Sequence, residues 1–197
     1  MRILIIRATN AIGGAEIYNL NLIKAFRKYY SEDKLIFITT LPEFSRRIKE
    51  EGVKAITLSV FSEEVGTKRG LLRFAKSFPR YFLRYLRTIF VLARREKVDL
   101  ICIQSATEKI FLTSILKLLG FRVVWLDHGP FFSFKPTREV MYLYKLSSYF
   151  SDKIIAVSQN TLHDAQNGGI NKEKLICIYT GIDTNRFRAL SKRALID

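Results

Sequence analysis

Residues 1–39, MRILIIRATNAIGGAEIYNLNLIKAFRKYYSEDKLIFIT, hold an apolar run at Ile3-Leu4-Ile5-Ile6, a glycine loop at Gly13-Gly14, a helix-patterned stretch and a second apolar run. Strands that are apolar throughout, with no polar alternation, belong to parallel sheets buried on both faces. Between the two runs, Ala15 to Tyr29 carries Ile17, Leu20, Ile23 and Phe26 at 3-4 spacing, so a helix is predicted to connect them.

The same alternation continues outward. Seven strands are predicted: Arg2 to Arg7, Lys34 to Thr39, Lys54 to Leu58, Asp99 to Gln104, Arg122 to Leu126, Lys153 to Val157 and Leu175 to Tyr179. The intervening helices include Pro42 to Glu50, closed by Gly52, and Thr107 to Leu119, closed by Gly120. Arg138 to Phe150 is an aromatic-rich helix, and Ser158 caps a short one that ends at Gly168-Gly169. The expected fold is α/β: a Rossmann-like, doubly wound parallel sheet of about seven strands with helices on both faces. No linker, repeat or low-complexity tract divides it.

The 197 residues are 48% hydrophobic and 26% charged, which excludes a disordered chain and leaves room for one full α/β domain. A net charge of +15 calls for an anionic partner: phosphate, anionic lipid, nucleic acid or an acidic substrate. Cys102 and Cys177 lie in apolar runs and read as buried hydrophobes in a reducing compartment, not as a disulfide. The opening apolar run is too short for a signal peptide and no window reaches a membrane span, so a cytoplasmic location is expected, with membrane contact limited to peripheral binding at the inner face.

In such a sheet, ligands bind beyond the carboxyl ends of the strands. Gly13-Gly14 follows the first strand, where glycines let backbone amides approach a phosphate; the alternative is a loop that needs positive φ. G-x-G-x-x-G and the Walker pattern are both missing, which weakens nicotinamide and ATP chemistry. Asp127-His128-Gly129 follows the fifth strand, placing a histidine at the crevice, whereas His163 falls mid-helix at the surface. Two histidines and two distant cysteines give no metal-ligand spacing.

Lys68 to Lys97 holds ten basic side chains and one acid, Glu96, a net +9. Arg73, Lys76, Arg80, Arg84 and Arg87 form one stripe if the helix is continuous, although Pro79 would kink it or start a second helix. The stripe reads either as a surface for anionic membrane or acidic acceptor, or as a solvated helix face.

Four segments together resemble the N-terminal half of a family 4 retaining glycosyltransferase of the GT-B fold. They are Gly13-Gly14-Ala15-Glu16, His128-Gly129, Ile155-Ala156-Val157-Ser158 and Tyr179-Thr180-Gly181-Ile182-Asp183-Thr184-Asn185-Arg186-Phe187. The last approximates N-G-[VI]-D-x-x-x-F, with Thr180 in place of the usual asparagine. The resemblance implies transfer of a sugar, with retained configuration, from a nucleotide sugar to a saccharide or lipid-linked acceptor, without metal or further cofactor. Residues 1–187 would be the acceptor-side domain, and 188–197 the start of an interdomain linker or tail. A C-terminal donor-binding domain, in the same chain or from a partner, would supply most of the nucleotide pocket, so the 197 residues alone are expected to be inactive. The resemblance puts His128 at the reacting centre and the Gly13 and Gly14 amides near the donor diphosphate. Glu16, Asp127, Gly129 and Ser158 become further donor or acceptor contacts. The competing expectation is a noncatalytic basic module for anionic membrane or nucleic acid; no recognised nucleic-acid motif supports base readout.

Overall fold

The computed structural model describes residues 1–30, 34–58 and 68–181; within 68–81 it describes the backbone and, among side chains, Pro79. Asp183 and Phe187 of the last motif, and the side chains of Arg73, Lys76 and Arg80, lie outside the described residues.

Among the described residues, seven parallel strands form one sheet: β1 (Arg2–Arg7), β2 (Lys34–Thr39), β3 (Lys54–Thr57), β4 (Leu100–Ile103), β5 (Val123–Asp127), β6 (Lys153–Ala156) and β7 (Leu175–Cys177). Their order is β3-β2-β1-β4-β5-β6-β7. The chain therefore winds outward from β1 in one direction and from β4 in the other. That is the doubly wound arrangement, and β1/β4 is its switch point.

Among the described residues, six α-helices connect the strands: α1 (Gly14–Tyr29), α2 (Pro42–Glu50), α3 (Lys68–Arg95), α4 (Ala106–Leu118), α5 (Arg138–Ser148) and α6 (Gln159–Asn167). Gly52 and Gly120 adopt positive φ just after α2 and α4, the stop each was expected to provide. The Oγ of Ser158 accepts the Thr161 amide and caps α6. Pro79 sits inside α3, which runs as one helix on both sides of it and starts no second one.

Alternation along β1 sorts the core onto two faces. Leu4 and Ile6 pack with Tyr85, Ile89, Leu112, Leu116, Trp125 and Tyr144, from α3, α4, β5 and α5. Ile5 packs with Ile23, Phe37, Phe44 and Ile48, from α1, β2 and α2. Cys102 is buried as expected, but Cys177 is only half-buried, because β7 lies at the sheet edge.

The sequence spacing put Ile17 on the inner face of α1. Ile17 is instead exposed, while Glu16 and Asn19 are buried. The first turn of α1 lies over the polar ends of β1 and β4, where Glu16 and Asn19 find partners that Ile17 could not.

The loop after β5 is anchored to α6. The Asp164 carboxylate accepts the amides of Phe132 (2.7 Å) and Ser133 (2.8 Å) and the Ser133 hydroxyl. Phe132 packs edge-on to Tyr144, with Phe131 stacked on the same ring at 3.9 Å. Gly168 leaves room for Phe132: a Cβ there would lie 2.3 Å from its ring, although φ of −69° suits any residue. Gly168→Ala should therefore destabilise by about 2 kcal/mol through overpacking alone. For a domain of this size that is a fall in Tm of about 4–8 °C; an unchanged Tm in a thermal scan would show that the loop repacks freely.

Candidate functional site

The β1–α1 loop leaves the sheet at the switch point and is tied to both neighbouring strand ends. The Ser105 hydroxyl accepts the Ala8 amide (2.7 Å) and donates to the Ala8 carbonyl (3.1 Å). Thr40 repeats the device at Thr9, accepting its amide and donating to its carbonyl, both at 2.8 Å. These paired bonds satisfy backbone that would otherwise face a crevice unpaired.

Arg7 ends β1, and its Nε donates to Glu16 at 2.8 Å. The second Glu16 oxygen accepts the Gly13 amide at 2.9 Å. Burial raises the Glu16 pKa, but the Arg7 and Gly13 hydrogen bonds outweigh it, so the carboxyl lies below its ordinary value. Glu16 thus closes half of a capping box at the start of α1; Gly13 has no side chain to supply the other half.

Gly13 has extended backbone (φ −129°), and neither it nor Gly14 adopts positive φ, so the loop does not need this pair for left-handed geometry. Both are exposed, and a Cβ on Gly14 would meet nothing within 4 Å. The Gly13 amide is engaged by Glu16 and is not directed at open space.

Behind the loop, Asn19 and Gln104 form a reciprocal amide pair: each side-chain nitrogen donates to the other's oxygen at 2.8 Å. His128 Nε2 lies 3.1 Å from the same Gln104 Oε1, and Tyr18 packs edge-on against the imidazole at 5.2 Å. His128 is half-buried. Burial first, then the nearby Arg7 and Lys109 charges, lower its pKa to about 4, against weaker upward pulls from Asp127 and Glu16. A neutral imidazole near pH 7 follows.

Asp127 precedes His128 but faces the opposite side of the sheet. Its carboxylate is buried against the Lys109 ammonium and accepts the Tyr144 hydroxyl at 2.9 Å, and Lys109 also donates to the Leu126 carbonyl at 3.2 Å. Its contacts are those of an internal ion pair holding β5 to α4 and α5. Ser158 is occupied as the α6 cap, with Thr161 Oγ1 at 3.0 Å. Gly129 is half-buried with open space where a Cβ would be, and His163 is exposed.

The structure therefore joins Gly13 to Glu16, whose charge reaches His128, leaves Gly14 exposed at the start of α1, and turns Asp127 into an ion pair on the other face of the sheet. Sequence reasoning missed Arg7, Tyr18, Asn19 and Gln104. One signal was available: Gln104 closes the predicted fourth strand, at the same carboxyl edge of the sheet from which His128 was singled out. Among the described residues no cluster of His, Cys, Asp or Glu could hold a metal ion, and no helix is long and apolar enough to cross a membrane.

The sequence profile of Glycosyltransferase Family 4 matches residues 12–186. No curated protein matches the chain by sequence. Among solved structures, a glycosyltransferase from Rickettsia africae superposes with a TM-score of 0.72 at 17% identity, over 99% of this chain and 47% of that one. Anabaena HepE in complex with UDP-glucose gives 0.70 at 16%, over 94% and 45%. A UDP-GlcNAc 2-epimerase from Methanocaldococcus jannaschii gives 0.58 at 17%, over 90% and 45%. At these identities the likeness is one of fold, and the chain spans about half the length of each structure.

The depressed His128 pKa has a measurable consequence. Between pH 6.5 and about 4 the unfolded chain binds a proton at this histidine that the folded chain does not, so its effect on stability grows more unfavourable as pH falls through that window. Glu108 acts oppositely: burial raises its carboxyl from 4.5 to about 7, and its contribution is lost as pH rises through that range. Comparing wild type with His128→Gln cancels the Glu108 effect. The variant's Tm should gain on wild type between pH 6.5 and 4.5; a pH-independent difference would mean that His128 titrates normally.

Proposed function

The chain belongs to glycosyltransferase family 4, and from that premise we propose that it forms the acceptor-side half of an enzyme transferring a sugar from a nucleotide-sugar donor, with retention. The carrying observation is His128, neutral and hydrogen-bonded to Gln104, at the carboxyl end of β5 beside the switch point. HepE shares the fold and binds UDP-glucose, which supports a nucleotide sugar as the donor class. Family membership weighs against a noncatalytic basic module.

As the donor's glycosidic bond breaks, negative charge builds on the departing diphosphate. The exposed Gly14 stands in the first turn of α1, where helix geometry leaves amides without intrahelical carbonyls and favours an anion. Gly13 contributes mainly by its small size, since its amide is bound to Glu16. Arg7 offsets the Glu16 charge that would otherwise repel a diphosphate. Gly129 leaves the backbone beside His128 open to the sugar. A C-terminal domain, in the same chain or from a partner, completes the nucleotide pocket. No metal or further cofactor enters this reading.

Release of nucleoside diphosphate, measured with a panel of nucleotide sugars and saccharide acceptors, tests it in the two-domain form. His128→Ala should lower kcat about 10²-fold, and His163→Ala should leave it unchanged. Multiple turnover by the 197 residues alone, or equal effects of the two substitutions, would overturn the assignment.

We also place the acceptor at an anionic membrane surface, on account of α3. Leu83, Arg84, Arg87 and Val91 are exposed and share an arc of about 100° on the helix, opposite the buried Tyr85, Ile89 and Leu92. Each arginine near an anionic surface contributes about 1 kcal/mol. Replacing Arg84 and Arg87 by glutamine should weaken sedimentation with anionic liposomes about tenfold or more and leave neutral liposomes unaffected. Wild-type protein that ignores anionic liposomes at low salt would make this face merely solvated.

A further inference from the structure

The polar network behind the β1–α1 loop contains a fixed direction. Asn19 Nδ2 donates at 2.8 Å to the Ala15 carbonyl as well as to Gln104. A carbonyl only accepts, so the end of the Asn19 amide nearest Ala15 must be nitrogen. Asn19 Oδ1 is then the atom facing Gln104, and it requires Nε2 of Gln104 opposite it. That leaves Gln104 Oε1 directed at both Asn19 and His128. An oxygen acceptor 3.1 Å from His128 Nε2 requires the proton on Nε2. Reversing either amide alone would set nitrogen against nitrogen, and reversing both would set oxygen against the Ala15 carbonyl. Both amides are almost fully buried, where water cannot compensate such a mismatch.

We propose that Asn19 and Gln104 are positioning residues that hold His128 in its Nε2–H tautomer, leaving Nδ1 as a hydrogen-bond acceptor for a hydroxyl group entering the crevice. Nδ1 has no hydrogen-bond partner among the described residues, and the neutral ring offers no proton there. A phosphate oxygen, itself an acceptor, gains nothing from such a nitrogen. A hydroxyl does, and identifying it as a sugar's is the one point that rests on the transferase reading.

The chain has two histidines, so nitrogen-labelled histidine with long-range nitrogen–proton correlation spectra resolves both rings in the free 197-residue protein near neutral pH. His128 should be Nε2–H by about tenfold or more over the other tautomer, while the exposed His163 serves as the reference for an unconstrained ring. Gln104→Met and Asn19→Ala should each return His128 to the His163 mixture, whereas Gln104→Glu, which keeps an acceptor oxygen, should keep the proton on Nε2. Inorganic phosphate should leave the neutral His128 signals in place.

A wild-type ring in the Nδ1–H form, or as mixed as His163, would overturn the proposal, and this result decides alone if a variant fails to fold. An unchanged preference in folded Gln104→Met, or conversion of His128 to imidazolium by phosphate, would overturn it as well. The transferase reading fails separately, on the turnover assay, and leaves the tautomer where the spectra put it.

Discussion

The central constraint is that β1 is buried on both faces up to Ile6, so the polar groups just beyond it must find partners inside the protein. Leu4, Ile5 and Ile6 are each 2% exposed or less, and the next side chain is an arginine. An unpaired guanidinium at that depth is costly, and Glu16 on the first turn of α1 supplies its partner. Pairing the two sets the rotation of α1 about its axis. That rotation brings Asn19 inward against Gln104 and leaves Ile17 in solvent. The crevice at the switch point is thus lined by groups whose orientation follows from satisfying the end of one strand.

The other wall is held by a different set of buried polar contacts. Lys109, Asp127 and Tyr144 join β5 to α4 and α5, with the Lys109 ammonium also about 5.6 Å from the centre of the Trp125 ring. Asp164 ties the loop after His128 to α6 through two backbone amides. Neither set faces the crevice. Each immobilises one end of the short segment that carries His128, which lets a half-buried imidazole keep a defined geometry at the end of a strand.

Charge is distributed by the same logic. The two cations whose charge reaches His128, Arg7 and Lys109, are compensated by Glu16 and Asp127, so they tune the histidine and add little net field. On α3 the exposed Arg84 and Arg87 stand beside exposed apolar side chains, opposite the core face. The basic surplus of the chain thus lies partly on a helix that packs behind the sheet, away from the first turn of α1.

By itself the sequence determined the fold. Unbroken apolar runs alternating with helical periods and closed by glycines suffice for a parallel doubly wound sheet, because each signal is local and is met by burial on both faces. It also placed His128 and the Gly13-Gly14 loop at strand ends, since the crevice of such a sheet follows from topology. Only the tertiary structure decided which polar residues turn inward. Asp127 and His128 are consecutive and therefore point to opposite faces, one into an ion pair and the other to the crevice. Asn19 and Gln104 meet across 85 positions of sequence. Hydrogen-bond partnership between buried amides depends on the rotation of α1 over the β1 and β4 ends, a long-range packing outcome that no local pattern encodes.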